Sequence, residues 1–399
     1  MKKLRVLLCI LALTLCAALP ALAEEARSLT ESCEIRSTDY RNNFRLSDGK
    51  TKMRYDKDAA KKSGGRWIEL TLPAGETAQG LYMIWPSNTP PVALDVWDEA
   101  AKDFVYCCDV NKGQFVHEYV PVPNATRLRF RSTDEKGSLP LCELSVMSQG
   151  ELPDWVQVWQ PTPAKADLLV FIAHPDDEYL FMGGTIPTYA GERGLHVAVC
   201  YMTVKEEPRL HELLNGLWTA GCREYPELLM MYDKLCYDSP RLAYKYWDGV
   251  DNAMDVVAAM LDRLRPEVVV THDLEGEYGH GAHMAVAELC LKVIRDGERP
   301  LAYPPKKLYL HLWEENQLMM DWETPLTHFG GQTAIEVATA AFKCHVSQQG
   351  FSHKFRSGKV FRFEVKSHGM YDNAKFGLAY TSVGPDVAMN DFMENIPAE

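Results

Sequence analysis

One imidazole and three carboxylates are crowded into five residues, His174-Pro175-Asp176-Asp177-Glu178. Imidazole and carboxylate are both good zinc ligands, and an adjacent carboxylate outside the ligand set can take the proton of a metal-bound water. Pro175 limits the backbone choices of His174 and stiffens the turn. The bland alternative is a polar loop whose acids cap a helix. A second cluster weighs against it: Thr271-His272-Asp273, then Gly279-His280-Gly281-Ala282-His283. His280 and His283 are three apart at the start of a helix-forming run, Met284-Ala285-Val286-Ala287-Glu288-Leu289, so both rings can share one face. Two histidines and one aspartate with an open fourth position make a catalytic rather than a structural zinc set.

The elements that must position these groups are strands. The apolar run Leu168-Leu169-Val170-Phe171-Ile172-Ala173 reads as a fully buried strand ending at the first cluster, and Glu267-Val268-Val269-Val270 runs into the second. In open α/β sheets ligands bind beyond the carboxyl ends of the strands. Leu195 to Tyr201 and Lys307 to Leu312 read as further strands, and Asp255 to Leu264 and Met284 to Ile294 as helices between them. Strands joined by helices predict a mostly parallel sheet with right-handed crossovers. Thr333-Ala334-Ile335-Glu336 is a capping box for a helix reaching to about Gln348. Val360 to Val365 is strand-like, and Tyr371 to Glu399 shows no readable chemistry.

The two clusters resemble the signature motifs of the PIG-L (LmbE-like) de-N-acetylase family. Smaller matches agree: Gly183-Gly184-Thr185, Tyr201-Met202-Thr203, Arg209-x-x-Glu212 opening a helix, and Lys343 with His345-x-Ser347-Gln348. The resemblance runs from about Asp167 to Gln348. It implies a Rossmann-like α/β fold and zinc-dependent removal of an acetyl group from an amino sugar, often N-acetylglucosamine. It also implies roles: His174, Asp177 and His283 as zinc ligands, Asp176 as general base, and His280 as acid or oxyanion stabiliser. Arg209 matches a substrate-contacting arginine, and Asp233 stands where members place a carboxylate for sugar hydroxyls. Asp273 is expected to orient a histidine from behind, or else to form a plain turn, and Glu178 to act as a helix-start acid or supporting partner.

Around this region the chain divides. Lys2, Lys3 and Arg5 precede an apolar run to about Leu19, and Ala21-Leu22-Ala23 fits a cleavage site, so residues 1–23 read as a signal peptide. The run is too short for a comfortable membrane span, and the expected location is secreted or cell-envelope. Residues 24–150 lack long helical patterns and show short alternating strands, such as Trp67 to Leu72, Gly80 to Trp85, Thr126 to Arg131 and Leu141 to Val146. They read as a β-sandwich, similar in pattern to discoidin-like domains that often bind glycans. Residues 151–166, with Pro153, Pro161 and Pro163, read as a linker whose Trp155 and Trp159 pack between domains. Residues 167–399 form the PIG-L-like domain. The predicted fold class is thus α/β, a Rossmann-like mostly parallel sheet domain preceded by an all-β sandwich.

Composition limits the partners. The formal net charge is −13 and grows more negative once the basic leader is removed, which argues against nucleic acid and anionic surfaces but not against neutral sugars. Nine cysteines lie beyond the leader; the odd count leaves at least one thiol outside any internal pairing, and export makes disulfides accessible. Cys33 with Cys142 is the expected pair, whereas Cys200, Cys222 and Cys290 read as core residues. His117, His196, His211, His311, His328, His353 and His368 lack partner spacing and read as bystanders, and His345 as a packed structural histidine able to reach the site. The expected function is hydrolysis of an N-acetyl group on an amino sugar or glycoconjugate, with Zn2+ or another divalent ion. The alternatives are an amidase on another N-acyl compound and an inactive glycan-binding protein.

Overall fold

The computed structural model describes residues 24–51, 55, 65–86, 89–113, 115–133, 137–204 and 207–397. The leader assigned to residues 1–23 lies outside the described residues. No described helix is long and apolar enough to cross a membrane.

The N-terminal part is built from antiparallel strands. These are β1 (Glu34–Ser37), β2 (Trp67–Thr71), β3 (Ala78–Ile84), β4 (Val92–Asp98), β5 (Asp103–Val110), β6 (His117–Ala125), β7 (Arg127–Ser132) and β8 (Glu143–Ser148). They form a five-stranded sheet, β1-β2-β7-β4-β5, and a three-stranded sheet, β6-β3-β8. Alternation along each strand turns Leu70, Leu81, Leu94, Phe130, Leu144 and Val146 into one shared core, the expected construction of a sandwich. Cys33 and Cys142 are both free thiols here, as are the other seven cysteines beyond the leader, so the expected disulfide is not formed. Burial pushes the Cys33 thiol up to about 11.

The second part is organised by β9 (Leu168–Ile172), β10 (Val197–Tyr201), β11 (Glu227–Leu228), β12 (Val268–Thr271), β13 (Lys307–His311), β14 (Gln317–Met319) and β17 (Lys375–Thr381); a separate hairpin pairs β15 (Ser352–Lys354) with β16 (Val360–Arg362). The sheet order is β11-β10-β9-β12-β13-β17-β14. The first five strands are parallel, and β17 and then β14 add on antiparallel. β9 is buried on both faces, which is why its sequence is continuously apolar rather than alternating. Leu168, Val170 and Ile172 enter one core, and Leu169, Phe171 and Ala173 the other. The chain runs from β9 outward through β10 and β11, then crosses to the other side of β9 for β12. That reversal opens a crevice at the carboxyl ends of β9 and β12, the place where ligands bind in such sheets.

Several sequence expectations change at the helices. The run after His280 is an α-helix only over Gly281–Cys290 and continues as a π-type turn over Leu291–Arg295. The capping box at Thr333 and Glu336 is present, but its helix ends at Lys343, with a separate 3₁₀ turn over Val346–Gln348. Gly183 and Gly184 are explained by crowding: a Cβ on either would run into Trp322, and Gly183 also has φ +53. The parts meet through the 151–166 segment and beyond. Trp159 is buried against Trp218 and Tyr225, while Trp155 lies half-exposed against Tyr82 of the sandwich. His117 and His211, read as bystanders, join ring to ring across this seam at 3.1 Å.

Candidate metal centre

The first cluster leaves β9 through an abrupt turn. Asp176 has φ 101 and ψ −26, a left-handed conformation that a non-glycine residue adopts only under constraint. Its N–H donates to Glu178 Oε2 at 2.7 Å, and Glu178 Oε1 meets His345 Nε2 at 3.1 Å, both groups fully buried. Glu178 is therefore the anchor of the turn, and the junction between the helix Ala334–Lys343 and the 3₁₀ turn Val346–Gln348 supplies the histidine that holds Glu178. The same turn carries Asp177 back under His174, whose N–H donates to Asp177 Oδ2 at 2.8 Å.

Three atoms able to ligate a metal then converge. His174 Nδ1 lies 3.2 Å from His283 Nε2 and 3.3 Å from Asp177 Oδ2, and His283 Nε2 lies 3.4 Å from the same oxygen. A tetrahedral ion with ligands at about 2.0–2.1 Å needs its donors roughly 3.3–3.4 Å apart. The donor set thus fits zinc or a similar divalent ion in type and in spacing. His272 also approaches Asp177 Oδ2, at 3.4 Å, but its Nε2 already accepts the Ala173 N–H at 3.0 Å, which places it behind the ligand set. Burial alone would lower His174, yet Asp177 and Asp233 outweigh it and raise the imidazole to about 9. Asp233 reaches the site at the back of His174, 3.5 Å from Nε2.

The orienting carboxylate is Glu277, which sequence reasoning missed. Its Oε2 accepts from His283 Nδ1 at 2.6 Å, which fixes the tautomer that turns His283 Nε2 toward Asp177. Its Oε1 takes His272 Nδ1 at 3.2 Å, His311 Nδ1 at 3.0 Å and the Asp273 N–H at 3.1 Å. Of the two expectations for Asp273 the turn is the one met: its carbonyl accepts the Gly276 N–H at 3.0 Å, and Glu277 rather than the Asp273 side chain orients the histidines. The reason is reach, because Glu277 sits at φ 53 in the turn before His280 and so points under the rings. His311, read as a bystander, is the end of β13 brought beside β12 by parallel pairing. Glu277 is held well below the usual carboxylate range; burial opposes this, and His272 and His283 overcome it.

Asp176 and His280 flank the three donors. Burial pushes Asp176 up, Arg209 opposes and Asp177 adds to the rise, leaving it at about 7. Arg209 Nη2 stands 3.3 Å from Asp176 Oδ2 and also donates to the Pro175 carbonyl, so the helix Glu207–Thr219 clamps the turn from outside. His280 is the N-cap of Gly281–Cys290: its Nδ1 accepts the Ala282 N–H at 3.3 Å, which leaves the proton on Nε2. A ring nitrogen of His280 falls within 4.8 Å of nitrogens of His174 and His283. Burial, with His174 and His283 nearby, keeps His280 well below its ordinary value and therefore neutral. All nine residues singled out from the sequence are thus drawn around one crevice, with Asp273 on its edge.

Comparison with known proteins agrees with the motifs. Residues 169–294 match the PIG-L family, described as GlcNAc-PI de-N-acetylase. A 1D-myo-inositol 2-acetamido-2-deoxy-alpha-D-glucopyranoside deacetylase 1 of Frankia casuarinae is 25% identical over 198 residues, 42% of this chain and 62% of that protein. A deacetylase of the same description from Rhodococcus erythropolis is 30% identical over 173 residues, 36% of this chain and 57% of that one. The chain therefore spans about three-fifths of the length of these curated relatives. Among solved structures, N,N'-diacetylchitobiose deacetylase from Pyrococcus horikoshii is similar, with 18% identity, a TM-score of 0.34, and coverage of 46% of this chain and 71% of that one.

Proposed function

We propose, from the PIG-L match over residues 169–294 and the site it contains, that this chain is a secreted zinc-dependent hydrolase that removes N-acetyl groups from an N-acetylglucosamine-type amino sugar. The observation that carries this reading is the triangle of His174 Nδ1, Asp177 Oδ2 and His283 Nε2, with edges of 3.2–3.4 Å, beside a buried Asp176. A divalent ion held there supplies a Lewis acid for water and for an acetyl carbonyl. Asp176 takes the proton of the attacking water at its carboxylate, held in place by the Glu178 contact to its N–H and by Arg209. His280, with Nδ1 occupied by the Ala282 N–H, offers its Nε2–H to the oxygen that gains charge and passes that proton to the departing amine. The products are acetate and a free amino sugar.

In this reading residues 24–150 position a larger glycan, residues 151–166 link the parts, and residues 167–399 carry the chemistry. The substrate is an N-acetylated sugar or glycoconjugate, contacted by Arg209 and Asp233. The test is acetate release from a panel of N-acetylated sugars by zinc-loaded protein, beside Asp176→Asn. Release from none of the sugars by protein with bound metal would overturn the reading.

A further inference from the structure

The loop between β11 and the helix Arg241–Tyr246 lies directly on the segment that holds His280. Gly281 N–H donates to the Cys236 carbonyl at 2.9 Å, Asp238 N–H donates to the Gly279 carbonyl at 2.8 Å, and Tyr237 and His280 form an antiparallel bridge. Gly281 makes this approach possible, because a Cβ there would collide with Ser239 and Cys236. Tyr237 is thus fixed by backbone bonds beside the imidazole that receives the acyl oxygen. Its ring stands 5.7 Å from the His280 ring, nearly perpendicular to it, and is backed by His353 of the β15–β16 hairpin at 4.7 Å. His353 in turn packs on Tyr278 and Phe355. Yet 41% of Tyr237 stays exposed, beside His280, which is itself buried.

We propose that Tyr237 is the platform on which the pyranose ring of the substrate stacks, and that it makes this site select cyclic amino sugars over acyclic N-acetyl amines. This rests on the de-N-acetylase reading above. An acetyl oxygen in hydrogen-bond reach of His280 leaves the sugar ring only two bonds from the carbonyl carbon, within contact distance of the Tyr237 ring. A pyranose presents a patch of C–H groups, which suits the electron-rich face of an aromatic ring. Tyr237 is a positioning residue: it holds the sugar, and the chemistry stays with Asp176 and His280.

The test compares Tyr237→Ala, Tyr237→Phe and the unaltered zinc-loaded protein on N-acetylglucosamine and on N-acetylethanolamine. Calorimetric binding of N-acetylglucosamine is measured in parallel in an Asp176→Asn background, and metal content and Tm are followed throughout. Tyr237→Ala is expected to lower the sugar-to-acyclic ratio of kcat/KM roughly tenfold, mainly through KM, and to weaken sugar binding by a similar factor, while Tyr237→Phe preserves both. An equal loss on both substrates, or an unchanged ratio, overturns the proposal. Loss in Tyr237→Phe as large as in Tyr237→Ala also overturns it, by assigning the effect to the hydroxyl. If the unaltered protein binds the sugar through Tyr237 but releases no acetate, the platform stands and the hydrolase reading falls. If it neither binds nor cleaves the sugar, the platform falls.

Discussion

Replacing Glu277 by Gln should damage metal binding more than any other change outside His174, Asp177 and His283. The carboxylate receives three donors at Oε1, from His272, His311 and the Asp273 N–H, and one at Oε2, from His283. A glutamine has one oxygen to offer, and the three-donor side will take it. Its NH2 then faces His283 Nδ1, where two donors cannot coexist. The imidazole must move its proton to Nε2, the atom that faces His174 and Asp177, and so ceases to be a ligand. Leaving one buried donor unmatched costs about 1–3 kcal/mol, and loss of a histidine's outer partner lowers metal affinity typically about 10–100-fold. The assay is a zinc titration against a competing chelator, with Tm measured with and without metal. Glu277→Gln should bind zinc about 10–100-fold more weakly, and zinc should raise its Tm less. Unchanged affinity would refute the tautomer argument. An equal loss in Asp273→Asn would restore the orienting role to Asp273.

Other outcomes follow from the same contacts. Asp176→Asn should keep the metal and lower kcat by about two to four orders of magnitude, whereas Asp177→Asn should lose metal and regain part of its activity with added zinc; the reverse pattern would exchange their roles. Arg209 opposes the rise of Asp176, so in Arg209→Gln the base should ionise only at higher pH, and the acid limb of kcat/KM should move upward from near 7; an unmoved limb would remove Arg209 from this part. Gly281→Ala must displace the Cys236–Ser239 loop and should cost about 1–3 kcal/mol in denaturant unfolding, with a loss under about 0.5 kcal/mol refuting the close approach. Asp386→Ala leaves the fully buried Lys307 ammonium with only the Glu394 carbonyl and no countercharge, and should cost about 3–5 kcal/mol, read as a large drop in Tm.

The parts of the site that were legible in the sequence are those carried by short spacing. His174 to Glu178 and His280 to His283 are local, so their types and intervals reveal both the chemistry and the strand ends that present it. The parallel strands were legible too, because β9 is apolar on every residue and β12 opens with three valines. Glu277 was not legible: its φ of 53 reverses the chain so that it points beneath His283, and nothing in Glu275-Gly276-Glu277-Tyr278 marks one of the two glutamates over the other. His311 and His345 were read as bystander and structural residue because their partners, Glu277 and Glu178, lie 34 and 167 residues away. The strand β17 was hidden for a related reason. Its pairing with β13 is antiparallel and lies about seventy residues away in sequence, and its short run Phe376-Gly377-Leu378-Ala379-Tyr380 carries no spacing that names a partner strand.

That late strand has a consequence for the order in which the chain can be built. β17 lies between β13 and β14, and Asp386, just beyond it, receives both the Lys307 ammonium and the Tyr309 hydroxyl. His311 reaches the Asp372 carbonyl at 3.1 Å, so one wall of the histidine cluster leans on the same stretch. The strand pairings among β1 to β8 lie within residues 34–148, so the sandwich can form early as the chain emerges. The seven-stranded sheet cannot close until nearly the whole chain has been released, because β17 must join β13 to β14. A polypeptide interrupted before residue 375 would therefore carry every residue of both motifs and still lack the scaffold that makes them a site.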